Sequence, residues 1–144
     1  MAKTKRKTGG RGIDPHSGGI TIQTAVRERT KRRILAHAEK YYQGKFLRLD
    51  IRFRGALCYI DAYQEPNLPP GWPPKSDKIS RKEYLERLRN TPVHLCRLRY
   101  FGEDQWSLAF FTYSNEQYTP SVFKTGSFFG TPEEAFDIGA MYLE

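Results

Sequence analysis

FLRLDIRFRGALCYIDAY, residues 46–63, decides the fold. Leu47, Leu49, Ile51 and Phe53 alternate with Arg48, Asp50, Arg52 and Arg54. That two-residue period marks a strand with one face buried. Gly55 permits a turn or a bulge. Residues 56–63 then read as a second strand, with Cys58, Ile60 and Ala62 on one face and Leu57, Tyr59, Asp61 and Tyr63 on the other. With Cys58 and Ile60 turned inward, the solvent side of the pair carries Arg48, Arg52, Arg54, Tyr59 and Tyr63.

Downstream, residues 64–78 break the pattern. Pro66, Pro69, Pro70, Gly71, Pro73 and Pro74 surround Trp72, which predicts a stiff, extended loop because proline fixes φ and removes donors. Trp72 is expected to pack back on the domain. Residues 80–89 read as a short helix opened by Ser80 and Glu83, a capping-box pair, with Ile79 and Tyr84 placed as a hydrophobic staple. Residues 93–101 and 105–113 form a hairpin around Gly102-Glu103-Asp104, and a short strand is expected at 120–124. Thr131, Pro132 and Glu134 then open a final apolar helix.

Upstream, Ile22, Val26, Thr30, Ile34, Ala38 and Tyr41 recur at three- and four-residue spacing, so residues 21–43 read as an amphipathic helix capped by Thr21 or Thr24. Residues 1–20 show no hydrophobic periodicity. Lys3, Lys5, Arg6, Lys7 and Arg11 sit among glycines, as in a flexible arm. The expectation is therefore a disordered basic arm at 1–20 followed by one α+β domain at 21–144. That domain holds an antiparallel sheet of four or five strands, with the N-terminal and C-terminal helices packed on one face.

The charge is unevenly placed. Residues 1–48 hold thirteen Lys/Arg against three Asp/Glu, a net of +10, whereas residues 49–144 hold eleven against thirteen, a net of −2. Four of the five residues from Arg29 to Arg33 are basic. Such asymmetry points to an anionic partner, nucleic acid first. The arm with Lys3, Lys5, Arg6, Lys7 and Arg11, and the helix turn with Arg29, Lys31, Arg32 and Arg33, are expected to contact phosphates. Arg48, Arg52 and Arg54 would extend that track, and Tyr59 and Tyr63 would stack bases beside them. No apolar run approaches a bilayer span and the N-terminus lacks the apolar core of a secretory signal. Cys58 and Cys96 read as reduced, buried thiols. A cytoplasmic protein is expected, with DNA or RNA as partner and no membrane.

His94 and Cys96, two residues apart on one strand, with Cys58 on a neighbouring strand, would give three zinc-type ligands. No fourth ligand is evident, and no metal or cofactor is expected. Asp50, Asp61 and Glu65 are the group that a metal-dependent nuclease would use, with His37 or His94 as acid. No nucleophile elbow or phosphate loop occurs. A protein-interaction subunit or homo-oligomer is the alternative to nucleic-acid binding, and a small nuclease is the third reading. Residues 93–143, a meander followed by Gly130-Thr-Pro-Glu-Glu-Ala-Phe136, resemble the end of HicB-type antitoxins, which implies an antitoxin-like binding module. No site residue carries over. The order of elements also resembles double-stranded-RNA-binding folds, without their sequence signature.

Overall fold

The computed structural model describes residues 14–143. Five strands, β1 (Arg48–Arg54), β2 (Leu57–Tyr63), β3 (Val93–Tyr100), β4 (Trp106–Thr112) and β5 (Gln117–Ser121), form one antiparallel sheet in chain order. Helices α1 (Thr24–Tyr41) and α3 (Pro132–Gly139) pack against each other and against one face of that sheet. Helix α2 (Arg81–Arg89) lies in the connection between β2 and β3 and buries no residue fully. No described helix is long and apolar enough to cross a membrane.

The core follows the alternation read from the sequence. Ile51, Cys58, Ile60, Leu98 and Leu108 from the sheet meet Ile22, Ile34 and Ala38 near α1 and Ala135 and Phe136 on α3. Burial of these apolar side chains is the main force holding the two layers together. Helix α1 departs from expectation at both ends. Gln23 is its N-cap, with no side-chain cap bond, so neither Thr21 nor Thr24 caps it. The residues just before the helix are instead tied to the sheet. Ile20 N–H donates to Tyr100 O at 2.8 Å, and Ile22 N–H to Gly55 O at 2.9 Å. At the far end Tyr41 is exposed, and Tyr42 takes its place against the core. The row at 26, 30, 34 and 38 continues by fours to 42.

The caps expected for the later helices are present. Ser80 accepts from Glu83 N–H, and Thr131 and Glu134 complete a reciprocal box ahead of Pro132. The hairpin between β3 and β4 turns through Gly102, Glu103 and Asp104, all with positive φ (92°, 48° and 60°), which glycine adopts without strain and acidic residues tolerate. The fifth strand begins earlier than expected, at Gln117 rather than 120. Trp72 does not pack back as expected and remains 46% exposed. Arg81 holds this loop through hydrogen bonds to the carbonyls of Leu68, Pro69 and Trp72, so the backbone is anchored while the indole faces outward.

One irregularity sets the geometry of the site. Ile60 pairs with Cys96, but Asp61 pairs with His94, so Leu95 is an extra residue on β3. Such a bulge re-aims the side chains that follow it. Leu95 and Cys96 are both fully buried. The backbone of Leu95 lies so close to α3 that a Cβ on Gly139 would come within 2.9 Å of its carbonyl oxygen. Only glycine allows the helix to approach this strand.

Residues 14–20, read as the root of the arm, lie against the sheet. Arg99 donates to Gly18 O at 3.0 Å. Gly19 has φ +95° and passes Tyr100 O so closely that a Cβ would sit 2.7 Å away. Asp14 accepts from His16 N–H and the Ser17 hydroxyl, closing a local turn. Pro15 and His16 lie beside Arg97, Arg99, Ser107, Ala109 and Pro120. This cover explains why the first half of β4 is buried on both faces.

Candidate nucleic-acid interface

The face of the sheet opposite α1 and α3 carries alternate residues of all five strands. In register, Arg48 stands opposite Tyr63, Asp50 opposite Asp61 and Arg52 opposite Tyr59. Arg97 faces Tyr59 across the next pair, and Phe111 faces Tyr118 across the last. Three of the arginines lie over tyrosine rings: Arg48 over Tyr63 at 3.9 Å, Arg97 over Tyr118 at 5.2 Å and Arg52 over Tyr59 at 5.6 Å. Such pairs hold flat guanidinium and phenol groups side by side on one surface. Burial raises the Tyr118 phenol well above its usual range, so the ring is neutral. Burial and the neighbouring Arg97 lower the Arg99 guanidinium from its ordinary value.

The expected site residues fall into separate groups. Lys3, Lys5, Arg6, Lys7 and Arg11 lie outside the described residues. Arg29, Lys31 and Arg32 are exposed on α1 and make no ion pair among the described residues. Arg33 belongs to a different arrangement. It donates to Glu133 at 2.6 and 2.9 Å and to Asp104 at 2.6 and 3.0 Å. It therefore ties α1 to α3 and to the β3–β4 turn. Burial alone would raise the Asp104 and Glu133 carboxyls. The hydrogen bonds from Arg33 outweigh it, with Trp106 adding to Asp104, and both lie below the usual carboxylate range. Arg33 is thus held, charged, in an ion-pair network between α1, α3 and the β3–β4 turn.

The expected continuous cationic track also divides. Because α1 packs on the core side, its basic turn and the arginines of the outer sheet face point away from each other. Arg48 and Arg54 are exposed on the outer face, whereas Arg52 is spent on two carboxylates. It donates to Asp50 and Asp61 at 2.8 Å each, and these bonds, Asp61 first, raise its guanidinium above the ordinary value. Tyr59 and Tyr63 lie on this face, half-buried beside the arginines.

Neither proposed metal group assembles. The bulge sends His94 outward and Cys96 inward, so the two do not share a face, and Cys58 is buried with Cys96. Burial pushes the Cys58 thiol up to about 12, which disfavours a thiolate ligand. Of the three carboxylates, Asp50 and Asp61 do meet, but Arg52 stands between them, and Glu65 is taken by Arg89 at 2.7 Å. No group of three His, Cys, Asp or Glu residues placed to hold a metal occurs among the described residues.

Reading the residues alone missed the pair at the centre of this face. Asp61, 2% exposed, accepts from Arg52 and from His94 Nδ1, the latter at 2.9 Å. The rings of Phe111, Tyr113 and Tyr118 surround His94. Arg97 and Arg99, two apart on a strand, were the available signal for the cationic part. Nothing local announced the bulge that joins His94 to Asp61. No family model, curated protein or solved structure matches the chain.

Proposed function

We propose that this protein binds nucleic acid without sequence specificity, through its cationic N-terminal segment and the outer face of its sheet, with the basic turn of α1 adding phosphate contacts from the other side. One observation carries the reading. Pro15 and His16 lie beside Arg97 and Arg99 on the outer face, and five cations at positions 3–11 precede them in the sequence. Cations neutralise phosphates and release counterions, while tyrosine faces stack bases regardless of identity. A strand of unpaired bases suits this surface better than a duplex, because stacking needs exposed base faces.

Fluorescence anisotropy with single-stranded RNA and DNA of one sequence tests it. Changing Arg29, Lys31 and Arg32 together to Gln keeps helix propensity and is expected to weaken both ligands alike. Tyr59→Ala is expected to cost about 1–3 kcal/mol of affinity, the usual worth of one stacked base. Unchanged affinity in both variants at low salt would contradict the proposal. A second reading, protein docking, is favoured by one feature: Trp72 is held outward by a loop whose backbone is fixed by Arg81. Exposed tryptophans of this kind anchor protein interfaces.

A further inference from the structure

We infer that the outer face also carries a metal-independent RNA-cleaving centre, in which His94 is the general base and Asp61 positions it; this rests on the nucleic-acid reading above. The carboxylate of Asp61 is buried between β2 and β3 and accepts from Arg52 through one oxygen and from His94 Nδ1 through the other. A carboxylate already engaged by a guanidinium accepts from Nδ1–H, and that tautomer leaves Nε2 with its lone pair. No described residue hydrogen-bonds to Nε2, and the His94 side chain is 32% exposed. The ring is held against Phe111 at 4.7 Å and stacks on Tyr113 at 6.3 Å and 19°. The Tyr113 hydroxyl in turn accepts from His94 N–H at 2.7 Å. A base fixed by a buried orienting group, on a partly exposed ring whose second nitrogen has no described partner, has the arrangement that proton abstraction needs.

The surroundings supply the remaining parts. Arg97 is the next outward residue beyond the bulge and makes no ion pair among the described residues, so its charge is available to a phosphate. Tyr113 also walls a cavity of about 770 Å³ between the proline loop and the end of α2, lined by Pro66, Asn67, Leu88 and Val93. Its mainly apolar lining, with Asn67 as a polar group, suits the flat face of a nucleobase. Both thiols, Cys58 and Cys96, are fully buried, whereas a ribose substrate carries its own nucleophile in the 2′-hydroxyl.

In the reaction His94 Nε2 takes the 2′-hydroxyl proton, and the 2′-oxygen bonds to the adjacent phosphorus. The P–O5′ bond breaks, the 5′-oxygen takes a proton from solvent water, and the imidazolium returns its proton to solvent. The products are a 2′,3′-cyclic phosphate and a 5′-hydroxyl end; no water, metal or oxidant is consumed. Arg97 faces the charge that develops on the phosphorane oxygens.

The test uses the full chain with end-labelled single-stranded RNA in excess chelator, beside the same sequence as DNA and as 2′-O-methyl RNA. Expected are RNA fragments ending in cyclic phosphate by mass spectrometry, while DNA and 2′-O-methyl RNA are bound but stay intact. His94→Ala should lose cleavage by about 10²–10⁴-fold, and added imidazole should restore part of the rate. His94→Gln, which retains a hydrogen-bonding side chain beside Asp61, should be equally inactive with an unchanged circular dichroism spectrum. RNA that is bound but intact, or cleavage that survives in both variants, overturns the centre and leaves the binding proposal standing. Failure to bind any of the three ligands overturns both.

Discussion

Two histidine–carboxylate pairs stand on opposite sides of the sheet, and they are built in reverse. On the helical side His37 Nε2 meets Asp137 at 2.7 Å, with the histidine side chain 14% exposed and the carboxylate 31%. On the outer side the carboxylate of Asp61 is 3% exposed and His94 32%. Asp137 is shared with the Tyr42 hydroxyl, and His37 lies among Tyr41, Tyr42 and Phe136. That pair staples α1 to α3. Its imidazole is tied through the far nitrogen and enclosed by rings. In the other pair the carboxylate is enclosed and the imidazole, partly exposed, is tied through the near nitrogen, which leaves Nε2 without a described partner. The two pairs thus leave opposite partners accessible to solvent, the carboxylate in one and the imidazole in the other.

Removing each carboxylate breaks the comparison most sharply. Asp61→Ala leaves Arg52 and His94 without their common acceptor, and the expected loss is about 2–3 kcal/mol by urea denaturation, because the removed group is buried while its partners can still reach water. Asp137→Ala should cost about 1 kcal/mol, since its carboxylate is already partly solvated. Equal losses would mean that burial does not distinguish the two pairs.

Arg33→Gln probes the helical side through charge. The expected cost is about 1–2 kcal/mol at neutral pH, a bidentate, half-exposed network being worth more than a lone surface pair. Asp104 and Glu133 have carboxyls held below their ordinary values of 3.8 and 4.5. A lowered carboxyl contributes stability that is complete above the unfolded pKa and disappears as pH falls through the folded one. The parent protein should therefore lose stability below about pH 4.5, and the variant should lose less over the same range. Parallel acid limbs in the two proteins would contradict the network.

The smallest effect expected is that of Tyr42→Phe, which removes one hydrogen bond to Asp137 and nothing else. A loss of about 0.5 kcal/mol is predicted from thermal or urea unfolding. Burial raises the Tyr42 phenol to about 12, with Asp137 adding to it. The parent phenol should thus remain un-ionised in the absorbance titration at pH values where exposed tyrosines titrate.

These pairs also show what the sequence can and cannot reveal. The alternation over 47–53, the glycine-acid turn at 102–104 and the Thr131 box are local patterns, and each forms the element that it predicts. The partners of Arg33 lie 71 and 100 residues away, so its basic neighbours made it look like one more phosphate contact. The bulge at Leu95 has no local signature, yet it alone decides that His94 faces Asp61 and not Cys96. A one-residue shift reverses a strand's faces, and a two-residue period read without the partner strand cannot locate it. Helix α1 likewise gave its apolar stripe but not the side of the sheet on which that stripe would land.

The central claim, that the N-terminal cations and the outer sheet face bind one nucleic-acid strand, is tested most directly by the salt dependence of binding. Affinity for single-stranded RNA should be measured across a range of salt for the full chain and for a form lacking residues 1–12. Deletion removes Lys3, Lys5, Arg6, Lys7 and Arg11 and leaves every described residue in the chain. At roughly 0.7 units of slope for each phosphate contact on a single strand, the plot of log affinity against log salt should become shallower by about 3–4 units. The same slope in both proteins would contradict the account, because the tethered cations would then be making no phosphate contacts.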